Sequence, residues 1–329
     1  MKRALLVLAL TPCLVAVAVA LAAVPSAADE LVKVGDLPAL STAAFYIAID
    51  KGYFAERGIR VETEVFASAG KMTPALATGH IDVATGAPSA GLFNSMASGA
   101  GFKIVADKGQ IRPGFNGTLL TVRKDLVESG QVKSARDLKG RTVSTGAKGI
   151  AMDYFLAKMM EDVGSSYDAL SVTYLAYPDG VKALASKAVD AFWGPEPWGA
   201  RAEQLGVGVR FVQPETIKTI ASFQAGLFIY SDKFARERFK VARDFLAAYV
   251  KGARYYNDRG PKDPEVVAIV SKHTKVPAET VKASFPFYIA PDGRPRVEDL
   301  AALQDFFVAR DWMKTKVPVE RMVDLSFLP

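Results

Sequence analysis

The 329-residue chain contains one cysteine, two histidines and three tryptophans. So few thiols and imidazoles exclude a disulfide scaffold, and they leave little for a transition-metal centre or a histidine-based catalytic relay. Long runs of one charge sign are also missing. The 41 basic residues are interspersed with 35 acidic ones, so the formal charge of +6 makes no nucleic-acid footprint. Beyond the amino-terminal segment, no stretch is long and uncharged enough to span a bilayer. What is plentiful excludes disorder and collagen-like repetition, because 50% of residues are hydrophobic and 23% charged. This length and apolar fraction suit about two domains, each with its own core.

The first 28 residues read as a secretory signal peptide. Lys2 and Arg3 precede an uncharged run from Ala4 to Val24, and Ser26-Ala27-Ala28 places small residues at −3 and −1 of a cut before Asp29. An uncleaved anchor is the rival reading, since the run is long enough to cross a bilayer. Cleavage leaves 329 − 28 = 301 residues, takes away Lys2, Arg3 and the only cysteine, Cys13, and lowers the charge to 39 − 35 = +4. The expected product is a thiol-free soluble exported protein whose stability comes from core burial.

Short apolar runs alternate with helical patterns along the mature chain. Leu31–Val34, Gly58–Phe66 and Ile81–Ala84 read as strands, with helices over Ala43–Tyr53 and Lys71–Thr78 between them. The same β-α-β-α-β grammar returns with strands at Arg141–Ser144, Leu170–Leu175 and Val189–Phe192 and helices over Ile150–Asp162 and Val181–Ser186. Ala75-Leu76-Ala77-Thr78-Gly79-His80-Ile81-Asp82 aligns with Ala183-Leu184-Ala185-Ser186-Lys187-Ala188-Val189-Asp190, an offset of 183 − 75 = 108 residues. Two related α/β halves follow, each with a mostly parallel sheet and right-handed crossovers. Asp82 and Asp190 are expected to bond local backbone in their turns. His80 is expected on a surface turn, and His273 in solvent. After Gln213-Pro214-Glu215 the pattern becomes an extended run, Phe223–Tyr230, and then helices over Lys240–Arg259, Val266–His273, Ala278–Ser284 and Val297–Met313, which are expected to pack back onto the first half.

Four strings carry a family resemblance. Val34-Gly35-Asp36-Leu37-Pro38 with Ala48–Val61, containing Gly52-Tyr53-Phe54 and Gly58-Ile59-Arg60-Val61, is similar to the opening of periplasmic solute-binding proteins. Ala75–Asp82 resembles their A-L-x-x-G-x-I-D segment, and Arg136–Val143 their D-L-K-G-K-x-V segment. Ala191–Trp198 resembles their D-A-x-x-x-W-E-P segment. The branch is that of nitrate, sulfonate and taurine ABC importers together with thiamine-pyrimidine-precursor binders, and the match runs in order from residue 31 to about 257.

The resemblance implies a type II periplasmic-binding-protein fold, with two lobes joined by crossing segments near Gln110–Thr118 and Ser222–Ile229. Lobe 1 is expected to take residues 29–112 plus 222–329, and lobe 2 residues 113–221. It further implies a monomer that binds a small-molecule ligand between its lobes and passes it to an ABC permease in the inner membrane. Neither a cofactor nor nucleic acid is involved, and the protein is not an enzyme. The enzymatic relative of the fold, a thiamine-pyrimidine synthase, would require a reactive histidine and a cysteine-rich loop that the mature chain lacks. A ligand sensor for a membrane signalling protein is the other alternative.

Ligands of open α/β sheets sit beyond the carboxyl ends of strands, where helix starts offer unpaired N–H groups. Five loops qualify here: Leu40-Ser41-Thr42, Ser68-Ala69-Gly70-Lys71, Gly86-Ala87-Pro88-Ser89, Thr145-Gly146-Ala147-Lys148 and Tyr177-Pro178-Asp179-Gly180. Lys148 is a candidate partner for a carboxylate or sulfonate, or a solvated helix-start lysine. Lys71 is a weaker candidate of the same kind. Ser41, Thr42 and Ser89 are candidate hydroxyl donors that also cap helices. The crossings add Arg112, Asn116 and Phe223, with an interlobe salt bridge as the other reading for Arg112. Trp193 and Trp198 are candidate pocket walls or core residues, and Glu196 a candidate acceptor or an interlobe carboxylate. The ligand is expected to be a small anion: a sulfonate, a carboxylate or nitrate. A neutral pyrimidine would instead use the Trp walls and Glu196.

Overall fold

A computed structural model describes residues 29–66 and 69–329. The signal-peptide segment and Ser68 lie outside the described residues. Ten strands form two five-stranded sheets. The first contains β1 (Glu30–Asp36), β2 (Ile59–Val65), β3 (Val83–Gly86), β4 (Lys103–Ile111) and β10 (Phe223–Tyr230), in the order β2-β1-β3-β10-β4. The second contains β5 (Thr118–Arg123), β6 (Thr142–Thr145), β7 (Ser171–Tyr174), β8 (Ala191–Pro195) and β9 (Gly208–Val212), in the order β7-β6-β8-β5-β9. Each sheet has three parallel strands followed by an antiparallel one, β10 in the first and β5 in the second. The architecture is therefore the expected two-lobe α/β fold, each sheet mixed and led by three parallel strands.

The helices before the return strand are α1 (Ala43–Asp50), α2 (Ala69–Ala77), α3 (Ala90–Ala97), α4 (Lys124–Glu128), α5 (Ala151–Asp162), α6 (Tyr177–Ala185) and α7 (Trp198–Gln204). After β10 come α8 (Asp232–Glu237), α9 (Phe239–Arg259), α10 (Pro264–Thr274), α11 (Ala278–Ala283), α12 (Glu298–Ala309) and α13 (Val319–Met322). Two details depart from sequence expectation. Tyr177-Pro178-Asp179-Gly180 is the first turn of α6 rather than a loop, because proline fits the opening of a helix. The return crossing lies at 213–222, before the extended run, which is itself an inner strand of the first sheet.

The repeat has a common physical cause. In the first half, Asp82 Oδ2 accepts from the Lys33 N–H at 3.0 Å, while its own N–H donates to the Lys33 carbonyl at 2.9 Å. In the second, Asp190 Oδ2 accepts from the Thr142 N–H at 3.0 Å and its N–H donates to the Thr142 carbonyl at 2.8 Å. Each carboxylate thus closes a ladder between the third strand and the first strand of its half, a longer reach than the local turn expected from sequence. Ala75 and Ala183 match too, each carbonyl accepting from the residues five and six positions on. Arg238 pairs with Asp82 and Arg123 with Asp190, both at 3.3 Å.

The long helix α9 lays Phe245, Leu246, Tyr249, Val250 and Ala253 against the first sheet and α1. Gly252 permits this packing, because a Cβ there would fall 2.2 Å from the Ala44 carbonyl oxygen. Beyond α10, which also packs on α1, the chain turns to the other lobe. There α11 meets α7, and α12 touches α3 and β10 of one lobe and α5 of the other. No helix among the described residues is long and apolar enough to cross a membrane.

Replacing Asp82 or Asp190 with alanine should leave a strand N–H unpaired in each case and lower unfolding free energy by about 1.5–3 kcal/mol. Urea denaturation of the two variants checks this. Two similar losses are expected, and a negligible loss at either site would show that the repeat is a matter of sequence only.

Candidate functional site

The two lobes adjoin along an interlobe cleft, where the turns that follow β3 and β6 meet. The lobes meet across it in several places. Ser89 and Ile150 form an isolated antiparallel bridge, and the Ala90 N–H donates to the Gly149 carbonyl at 2.8 Å. Gly149 has a φ of 75°, and a Cβ there would lie 2.9 Å from Ala90 Cβ, so glycine is needed both for the turn and for the approach. Phe223 packs on Tyr154 and Phe155 of α5. Trp312 joins the two lobes further out: its carbonyl accepts from Asn94 Nδ2, and its ring lies beneath the Lys148 amine at 5.5 Å.

The helix starts facing this cleft differ in what already occupies them. The start of α3 is capped by Ser89 Oγ, which accepts from the Leu92 N–H at 3.2 Å. At α5, Asp153 Oδ2 accepts from Gly149 N–H at 2.8 Å and Ile150 N–H at 3.3 Å, and Oδ1 takes the Tyr167 hydroxyl at 3.0 Å. Burial pushes the Asp153 carboxyl up despite these bonds. Asp179 stands exposed in the first turn of α6, paired with Lys182. At α7, Glu196 Oε2 accepts from the Ala200 N–H at 2.9 Å. The start of α1, preceded by the single 3-10 turn Leu40–Thr42, has no side-chain cap.

Most residues chosen from the sequence fall in or beside these turns. Leu40, Ser41, Thr42, Pro88 and Ser89 are buried at the first lobe's turns, while Lys71 is exposed on α2, beside Gly70 in the same helix. Gly146 lies under the Tyr177 ring, and a Cβ there would meet that ring at 2.5 Å. Ala147 accepts the Thr145 hydroxyl through its carbonyl, and Lys148 is exposed over Trp312.

Others are held away from the opening. Trp193 is fully buried and donates from Nε1 to Thr118 Oγ1 at 3.2 Å, while Trp198 packs on the small second core around Phe192. Arg112 bonds Gln110 Oε1 through two nitrogens and stacks on Tyr288, with no ion pair among the described residues. Asn116 accepts from the Glu215 N–H at 3.2 Å. Glu196 is completely buried, and its Oε1 takes Arg210 at 3.0 Å and the Phe285 N–H at 3.2 Å, with burial raising its carboxyl. His80 pairs with Glu64 on the surface. His273, expected in solvent, stacks on buried Tyr46 at 4.5 Å and bonds Asp50.

Sequence reading missed a charged group at the first lobe's end of the cleft. Asp107 and Lys108, adjacent in β4, are both buried and face opposite ways. Asp107 accepts from the Gly109 and Ala290 N–H groups and from Gln224 Nε2. Lys108 turns to the Leu40–Thr42 start, where Nζ lies 3.5 Å from Thr42 Oγ1. The only available signal was the short apolar run Ile104–Ala106, cut off by the adjacent charges Asp107 and Lys108, which disguise a strand as a loop.

Two outcomes follow. Burial lifts the Asp107 carboxyl from 3.8 to about 6. The folded protein therefore holds this proton more tightly than the unfolded chain does. Its contribution to stability is complete below about pH 4 and is lost as the pH rises through about 6, on the order of 3 kcal/mol. Asp107→Asn should flatten the fall of unfolding free energy between pH 4 and 7, and parallel profiles would refute the assignment. Separately, Ser89→Cys combined with Ile150→Cys should form a disulfide under oxidation, since bridge partners lie within bonding range. A faster band on a non-reducing gel is expected; its absence would mean the lobes do not rest on this contact.

Comparison with known proteins places this architecture. The family described as NMT1/THI5 like matches residues 40–260, more than half of the chain. A putative ABC transporter periplasmic binding protein of Brachyspira hyodysenteriae is 26% identical over 245 residues, 72% of this chain and 67% of the relative. The alkanesulfonate-binding protein SsuA of Xanthomonas axonopodis pv. citri, solved with MOPS bound, superposes with a TM-score of 0.72 at 17% identity, covering 91% of this chain and 99% of that one. The nitrate-binding protein NrtA of Synechocystis PCC 6803 gives 0.74 at 16% identity, covering 91% and 87%. A desulfurization enzyme, DSZB, shares the fold as well, at 15% identity and 0.64, covering 91% and 97%. On the extent of the family match, the chain belongs to the NMT1/THI5-like family.

Proposed function

We propose that this chain is the periplasmic solute-binding component of an ABC importer, which captures a small anionic organic solute between its lobes and delivers it to the permease. The observation that carries the reading is the cleft itself. Two sheets of equivalent strand order bring the turns after β3 and β6, with their helix starts, together, and these turns touch through the Ala90–Gly149 bond. A ligand lodged there bonds both lobes at once and favours the closed state, whose shape a permease then selects. The relative from Brachyspira and the sulfonate- and nitrate-binding proteins of the same fold support transport, and a sulfonate, carboxylate or nitrate as the cargo.

Neither catalysis nor a pyrimidine ligand gains comparable support. His80 and His273 are engaged with Glu64 and Asp50, away from the turns that line the cleft. Trp193 and Glu196, on which recognition of a neutral heteroaromatic would rely, are buried and already bonded. The protein acts through binding and closure alone.

A thermal-shift screen over ethanesulfonate, taurine, nitrate, benzoate and a hydroxymethylpyrimidine should find at least one anion that raises the melting temperature. X-ray scattering with that compound should record a smaller radius of gyration than without it. An unchanged radius would rule out closure, and turnover of the compound would rule out a pure binder.

A further inference from the structure

We propose that Lys108 and the uncapped start of α1 form the seat for the ligand's anionic group, so that the charge is read by the first lobe from beneath and not by the exposed lysines at the cleft rim. This rests on the cleft reading above and adds a residue to it. Lys108 is 4% exposed, carries three donors, and makes a single long contact, 3.5 Å to Thr42 Oγ1. It forms no ion pair among the described residues. The carboxylate beside it, Asp36, is already taken by the Tyr46 hydroxyl at 2.7 Å and the Thr85 hydroxyl at 3.0 Å. A buried ammonium with one long contact has donors left over for a further acceptor.

The backbone around the amine is shaped to hold it there. Gly226 on β10 leaves room for the lysine stem, since a Cβ would fall 2.7 Å from Lys108 Cε. Gly109 lets β4 press against the helix start, where its Cβ would fall 2.9 Å from Ser41 Cβ. At that start no side chain caps the backbone. Lys108 reaches Thr42 at the end of a turn that no side chain caps, so backbone dipole and cation lie together, the arrangement an oxyanion requires.

The rest of the cleft points the same way. Carboxylates stand at the starts of α5 and α6, and Ser89 fills that of α3. An anion placed at either acidic start would face a like charge, whereas at α1 it faces Lys108. Burial also draws the ammonium down to about 8, against the pull of Asp36 and Asp107. An amine kept at such cost serves something other than the stability of the empty protein.

The test uses the full mature chain with Lys108→Met, Lys108→Arg and Lys148→Ala, titrated calorimetrically with ethanesulfonate, nitrate, benzoate and a hydroxymethylpyrimidine. For an anion bound by the wild type, Lys108→Met should weaken affinity at least tenfold, Lys108→Arg should recover part of it, and Lys148→Ala should change it less than threefold. Thermal unfolding at pH 7 supplies the second readout. Lys108→Met should melt at or above the wild-type temperature, whereas a lysine present to neutralise Asp36 would make it melt lower. Full anion affinity in Lys108→Met, or a loss confined to Lys148→Ala, overturns the assignment and leaves the transport reading intact. Binding of the pyrimidine alone, or of none of the four, overturns the anionic reading and the seat together.

Discussion

The molecule is held at its joint by one buried carboxylate. Glu196 sits where strand β8 ends, and its backbone N–H donates to the Gly117 carbonyl in the first crossing at 2.7 Å. Its side chain closes the start of α7, takes Arg210, and reaches the Phe285 N–H of the carboxy-terminal segment. A charge removed from water is tolerated only with several good partners, and here each partner comes from a different part of the chain. Arg210 in turn binds Glu203 and the Ala283 carbonyl. The crossing, the second lobe and the returning tail are therefore fixed to one another before any ligand is considered. The cleft forms beside a rigid corner, and relative movement is left to contacts such as Ser89 with Ile150.

Beyond that corner, the two lobes use one topology for opposite electrostatic ends. The ladder-closing aspartates, Asp82 and Asp190, are equivalent, and so are the strand orders. The helix starts are not. In the second lobe Asp153, Asp179 and Glu196 supply negative charge at three starts, and two of these carboxylates bond the exposed N–H groups directly. In the first lobe no side chain caps the Leu40–Thr42 turn that leads into α1, and Lys108 reaches Thr42. The shared topology thus supplies the frame, while different residues at equivalent turns set the charge of each helix start.

How much of this was legible in the sequence depended on whether a residue's period agreed with its burial. The repeat was legible because Asp82 and Asp190 do the same work with the same neighbours. The turns Leu40–Thr42, Gly86–Ser89 and Thr145–Lys148 were legible because small and hydroxyl residues mark strand-to-helix junctions. Strand β4 was not, since Asp107 and Lys108 put two charges at its centre, and only the fold reveals that each has its own buried surroundings. Side-chain direction was the other missing quantity. Trp193 and Glu196 read equally well as cleft or interior, and the pairing of Trp193 with Thr118, 75 positions away, cannot be inferred from local spacing. His273 looked solvated because the partner it stacks on, Tyr46, lies far away in sequence.

The place of β10 has a consequence for how the chain assembles. It lies between β3 and β4 in the first sheet yet follows the whole second lobe in sequence. Strands 118–212 can complete their sheet from contiguous chain, but the earlier-made strands wait for residues 223–230. Until then β3 and β4 have no partner between them and present open edges, the form of backbone most prone to pair with another molecule. The lobe that begins the chain is thus the last to be finished, and its loop closure spans more than a hundred residues, which makes for slow folding of high contact order. A protein built this way stays incomplete until more than two thirds of it is present, and its vulnerable interval is the time before one strand arrives.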